Sequence, residues 1–163
     1  MPAVSEPVVP ALPHTWRPLG VRLAVLFFGG LLVVVCVAGW VAVGPEVRGR
    51  VTVYQQATLL LIAAMAGAVA WGLVRCRVTA TDLGLEVVNG YRRHAYEWPE
   101  VLAVRMPRGA PFVTLDLADG TNAMALAIQS ADGDRARVAV GELRALVEQI
   151  SARSLQRPDP PAD

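Results

Sequence analysis

The chain has 163 residues, of which 54% are hydrophobic and 18% charged, more apolar and less charged than a typical soluble domain. Fifteen basic residues stand against fourteen acidic ones, and a formal net charge of +1 leaves no surplus of cations for gripping a phosphate backbone. Composition therefore points to a membrane protein and argues against a nucleic-acid binder.

Every basic residue is arginine, and the chain is dense in Ala, Val and Gly, a bias that fits a GC-rich bacterial genome. Residues 1–20 open with the Pro-rich, aperiodic stretch MPAVSEPVVPALPHTW and are expected to form a disordered tail. Residues 21–76 hold two uncharged runs, LAVLFFGGLLVVVCVAGWVAV at about 23–43 and VTVYQQATLLLIAAMAGAVAWGLV at about 51–74. At roughly 1.5 Å per residue each run covers a hydrocarbon core of about 30 Å, which predicts a transmembrane helical hairpin. A cleaved signal peptide fits less well, because the first run exceeds the usual apolar length and a second follows at once.

Trp40, Tyr54 and Trp71 fall near the span ends, where amphipathic rings favour the headgroup layer. Ala63 and Gly67 have the small-xxx-small spacing that lets helices approach closely, and Gln55 and Gln56 suggest contacts between helices. Arg17 and Arg22 precede the first span and Arg75 and Arg77 follow the second, against Arg48 and Arg50 in the connecting loop. The positive-inside rule then places both termini in the cytoplasm of a bacterial plasma membrane. Cys36 and Cys76 lie at different depths and lack neighbours at ligand spacing, so neither a disulfide nor a metal site is expected.

Residues 77–154 are the one stretch able to build a soluble core, and residues 155–163 are expected to be a second disordered tail. RVTAT and LEVV alternate and lead into Asn89 and Gly90, a strong signal for a two-residue hairpin of type I′. That turn sets Glu86 opposite Arg93 and Leu85 opposite His94. Arg93 thus has a carboxylate within reach, whereas Arg92 has none and stays a candidate for phosphate contact. His94 and the distant His14 suggest neither catalysis nor metal binding. Trp98, before Pro99, is expected to plug one end of the sheet. PFVTLDL and NAMALAI flank Asp119 and Gly120, and a two-residue turn there pairs Leu115 with Met124 and Val113 with Leu126 as one apolar face. Finally, Ala136, Val140, Leu143, Val147 and Ile150 make one stripe of an amphipathic helix that covers the sheet.

Six short strands followed by one helix resemble the layout of a pleckstrin-homology (PH) barrel. The segment VTATDLGLEVVNGYRRHAYEWPEVLAVR is similar to the actinobacterial PH-domain membrane proteins, in which two transmembrane helices precede T-x-x-G-L-x-V and W-x-E-V. Thr81, Gly84, Leu85, Val87, Trp98, Glu100 and Val101 carry the match. The fold class it implies is a transmembrane α-helical hairpin followed by a small PH-like β-barrel or sandwich, capped by a C-terminal α-helix. Lipid headgroups or protein segments are the ligands it implies. The first two turns, TDLG and NG, lack the long basic loop of phosphoinositide binders, so any headgroup contact is superficial, through Arg75, Arg77, Arg92 and Arg108.

No HExxH, GxSxG, Walker loop, paired CxxC or Rossmann glycine pattern occurs, so no enzymatic activity and no cofactor are expected. The expected function is a membrane-anchored interaction module that recruits a protein partner, with membrane lipids as the alternative ligand. Asn89, Gly90, Trp98, Asp119 and Gly120 are assigned structural roles.

Overall fold

The computed structural model describes residues 9–156, which divide into two compact units. One is the helical hairpin Leu19–Arg75, and the other joins the residues up to Pro18 with those from Cys76 onward. The remaining parts of the two expected tails, 1–8 and 157–163, lie outside the described residues.

In the hairpin, α1 (Leu19–Ala42) and α3 (Val53–Arg75) flank a short α2 (Pro45–Arg50). Both long helices are apolar enough to cross a membrane, and they bury almost nothing within the chain: no residue of α1 and only Gly72 of α3. Arg48 turns back to donate to the carbonyls of Val43 and Val41 at 2.7 and 2.8 Å, satisfying acceptors that the end of α1 leaves open. Gln55 is a capping residue rather than a contact between helices, since its side-chain oxygen accepts the Thr52 N–H at 2.9 Å. A Cβ placed at Gly67 would meet nothing within 4 Å, so the Ala63 and Gly67 spacing does not bring α1 close.

The second unit is two antiparallel sheets and a helix. β1 (His14–Trp16), β2 (Arg77–Ala80), β3 (Gly84–Asn89) and β4 (Arg92–Glu97) form one sheet in that order. β5 (Val101–Arg105), β6 (Phe112–Leu117) and β7 (Asn122–Gln129) form the other, and α4 (Asp134–Leu155) follows. The seventh strand corrects the sequence reading, because β1 lies in the segment expected to be disordered. Three residues are enough: His14, Thr15 and Trp16 pair with Ala80, Thr79 and Val78, and the Trp16 ring enters the core at 7% exposure. The Trp16 indole N–H donates to Glu142 of α4 at 2.9 Å, so its polar atom is satisfied as its rings are buried. The domain is therefore discontinuous, with the helical hairpin inserted between its first two strands.

Both predicted hairpins form, each in a different register. Asn89 pairs with Arg92, so the first turn is Gly90–Tyr91, with positive φ (63°) at Gly90 alone. Asn89 stays in the strand because its side-chain amide is engaged elsewhere, accepting the Leu126 N–H at 3.0 Å and donating to the Met124 carbonyl at 2.6 Å. His94 therefore faces Val87, not Leu85, and Arg93 faces Val88 while still reaching Glu86 on the diagonal at 2.9 Å. In the second hairpin Leu117 N–H donates to the Thr121 carbonyl at 2.9 Å across the three residues Ala118, Asp119 and Gly120. Gly120 takes φ of 80°, and Asp119 holds the turn by accepting from Thr121 N–H and Oγ1 at 2.8 and 2.7 Å. One extra loop residue inverts the facing of β7. Ala125 and Ala127 are buried opposite Val113 and its neighbours, whereas Met124 is 61% exposed.

The core sits between the sheets and α4, with Val78, Leu85, Val87, Val113 and Leu115 from the strands against Ala136, Val140, Leu143, Leu146 and Val147. Small alanines on β7 leave room for this helix. Trp98, in a short 3₁₀ turn Trp98–Glu100, is a buried plug as expected, and its indole N–H donates to the Thr81 carbonyl at 3.0 Å. Gly84 is required because a Cβ there would collide with the Tyr96 carbonyl oxygen of the adjacent strand.

Two measurements check this architecture. A fragment of residues 77–154 should fail to unfold cooperatively on heating, whereas residues 9–18 joined by a Gly/Ser linker to residues 76–156 should do so. In that fused domain Trp16→Ala should cost about 3–5 kcal/mol in urea unfolding. Gly84→Ala should cost about 2 kcal/mol or more by the same readout, while Met124→Lys should stay within about 0.5 kcal/mol.

Candidate interaction surface

Strand register gathers several arginines at one end of the four-stranded sheet. Arg77, Val88 and Arg93 stand in one row across β2, β3 and β4, and Arg17 follows the last residue of β1 at that same end. This is the end at which the chain leaves for α1 and returns from α3. Glu86 sits between two of the cations, its oxygens 3.1 Å from Arg77 and 2.9 Å from Arg93. Both pairs are partly solvated, so each contributes well under about 1 kcal/mol, and Glu86 cancels part of the charge. Arg92 and Arg17 are exposed, and their side chains make no hydrogen bond or ion pair among the described residues.

The four headgroup candidates separate. Arg92 and Arg77 lie at this sheet end, and Arg75, the last residue of α3, precedes Arg77 by two positions. Arg108 belongs elsewhere, on the loop between β5 and β6, where it lines a cleft with Met106, Ser130, Ala136 and Arg137 near the start of α4. The reading that the β1–β2 connection is the short TDLG turn is also corrected: TDLG joins β2 to β3, and the helical hairpin occupies the position between β1 and β2.

The strand edges differ in how they are closed. Exposed main-chain donors and acceptors invite another strand, and natural sheets cover or interrupt them. β1 is only three residues long. On β5 the Val104 carbonyl accepts from Arg144 Nε of α4 at 2.8 Å. On β7 the Asn89 amide bonds to Met124 and Leu126 as a short stretch of neighbouring strand would. On β4 such a contact occurs, among the described residues, only at the far end, where Glu100 accepts the Glu97 N–H at 2.8 Å, and Arg92, Arg93, His94 and Ala95 are exposed. His94 and Tyr96 stack within the strand, their ring centroids 6.2 Å apart and nearly parallel. Burial, with the Asp119 and Glu100 carboxylates nearby, raises the Tyr96 phenol above its ordinary pKa.

Trp98 is buried where the sequence pattern put it, Asn89 lies in β3 rather than in the turn expected for it, and the roles of Trp16, Glu142 and Arg144 were missed. HTW alternates, a weak strand signal that three residues cannot make convincing. Nothing local marks Arg144 as the cover of an edge, because its partner lies 40 positions away.

Two antiparallel sheets of four and three strands with a C-terminal helix define a PH-like domain. The family model described as "Bacterial PH domain" matches residues 75–146, from the end of α3 to within α4. The chain is 33% identical over 139 residues to the uncharacterized protein Rv1417 of Mycobacterium tuberculosis (strain ATCC 25618 / H37Rv) and to the uncharacterized protein Mb1452 of Mycobacterium bovis. Each alignment covers 83% of this chain and 85% of the relative. No solved structure matches the chain. The chain belongs to the bacterial PH-domain family, and its mycobacterial relatives align beyond the PH segment itself.

Asn89→Ala should remove both bonds to β7 and cost about 1–3 kcal/mol in the fused domain, measured by urea unfolding. Asn89→Asp, which keeps the acceptor for Leu126 N–H but loses the donor, should fall between the two.

Proposed function

We propose that this protein is a membrane-anchored interaction module. Its helical hairpin embeds in the bacterial plasma membrane, and its PH-like domain, on the cytoplasmic side with both termini, docks a protein partner by strand addition at β4. The observation that carries this reading is the unequal treatment of the edges: one is short and two are covered by side chains along their length, whereas among the described residues β4 is left open from Arg92 to Ala95 and is capped only at Glu97. No catalytic step belongs to this reading. Insertion between β1 and β2 also supports an anchoring role, since two covalent connections hold the domain more firmly than one.

Anionic headgroups are the second reading, and Arg17 and Arg92 favour it, because unpaired cations beside the helix junctions can each add about 1 kcal/mol at a charged surface. Arg75 and Arg77 extend that basic stretch. Arg108 does not.

Anchoring predicts that the full chain stays with membranes through carbonate extraction. In a Cys36→Ala background, Leu83→Cys should react with an impermeant maleimide only after the membrane is opened from the cytoplasmic side, and Arg50→Cys from the outside. The opposite labelling pattern overturns the orientation. For the headgroup reading, the fused domain should sediment with anionic but not neutral vesicles, and Arg17→Ala with Arg92→Ala should abolish the difference. Equal sedimentation with both vesicle types removes it.

A further inference from the structure

β4 is complementary to itself. The two-residue turn Gly90–Tyr91 makes Asn89 and Arg92 a hydrogen-bonded pair, so His94 and Tyr96 also turn their main chain toward β3. Arg93, Ala95 and Glu97 then turn theirs outward. Gly84, opposite Glu97, obeys the same alternation, with its carbonyl accepting from Thr81 N–H on the β2 side at 2.9 Å. The Glu97 N–H is held by Glu100 at 2.8 Å, which leaves its carbonyl and both main-chain groups of Arg93 and Ala95 for a neighbour.

We infer that two copies of this chain pair antiparallel through β4, about a two-fold axis at Ala95. The inference rests on the edge-docking reading above and names its partner. An antiparallel partner must bring an acidic residue to the Arg93 end and a basic one to the Glu97 end, and RRHAYE carries that order itself. With Ala95 opposite its own symmetry mate, outward main-chain groups meet outward ones, Arg93 stands opposite Glu97, and His94 stands opposite Tyr96. Symmetry doubles each contact. Opposite charges and aromatic pairs directly across strands stabilise, and the smallest side chain lies on the axis, where a large one would clash with its copy. Sliding by two residues in either direction loses the ion pair and puts His94 or Tyr96 on the axis. Arg93 also keeps Glu86 beside it, so its guanidinium is already ordered on that face.

The test uses the full chain reconstituted in phosphatidylcholine vesicles, with Cys36→Ala to remove the exposed thiol while the buried Cys76 stays. Ala95→Cys should cross-link on mild oxidation, since a hydrogen-bonded pair holds its Cα atoms about 5.5 Å apart, within disulfide range. Val138→Cys, 59% exposed on α4, should not. Arg93→Glu should weaken the Ala95→Cys dimer about tenfold, because two attractive contacts become repulsive, and adding Glu97→Arg should restore it. Cross-linking at Ala95 no greater than at Val138, or failure of the double variant to recover in a folded chain, overturns self-pairing. Ala95→Pro removes an outward N–H and no bond to β3, so it should give monomers with the fold intact. A chain that was monomeric throughout, yet lost a co-purifying protein on Ala95→Pro, would overturn self-pairing and leave edge docking standing.

Discussion

The pairing of β1 with β2 joins segments that the chain separates by the whole helical hairpin. Without it the four-stranded sheet loses an edge, Trp16 leaves the core, and Glu142 of α4 loses the indole N–H it accepts. Closing so long an excursion costs conformational entropy in a flexible chain, but the increase with length is slow, and two helices returning side by side bring their ends together in advance. The hairpin thus does two things at once. It presents an apolar surface fit for a bilayer, and it delivers three residues to a sheet that would be incomplete without them.

Sheet edges organise the rest of the surface. α4 covers the core with Val140, Leu143 and Val147 and reaches with Arg144 to the outer edge of β5, so one helix closes both a face and an edge. Asn89 does for β7 what Arg144 does for β5, and its use there moves the β3–β4 turn one residue along the chain. That shift in turn decides which β4 residues face outward.

Much of the architecture was legible in the amino-acid order. Two apolar runs, the alternating strands, the breakers Gly90 and Gly120, the plug at Trp98 and the stripe Ala136, Val140, Leu143, Val147 all appear in the fold as local pattern implied, because each depends on periodicity or on a backbone conformation that glycine adopts most easily. Register was not legible. Which two residues make the first turn, and whether the second holds two residues or three, differ by little in local energy, and long-range contacts accompany both choices: the Asn89 amide at β7, and the alanines of β7 in the core with α4. The apolar face assigned to Leu115 and Met124 failed for that reason, since the residue on the other side of the strand, though small, is the one that fits under the helix.

The two apolar helices and the PH-like order of elements follow from composition and from spacing along the chain, and both could be read before any contact was known. The folded chain was needed to see that the domain is split around its helical hairpin, that Arg108 stands apart from Arg77 and Arg92, and that β4 is the least covered edge. Each of those depends on residues distant in sequence meeting in space, and the hydrogen bonds from Trp16 to Glu142, Asn89 to Met124 and Arg144 to Val104 span separations of 126, 35 and 40 positions that no local pattern encodes.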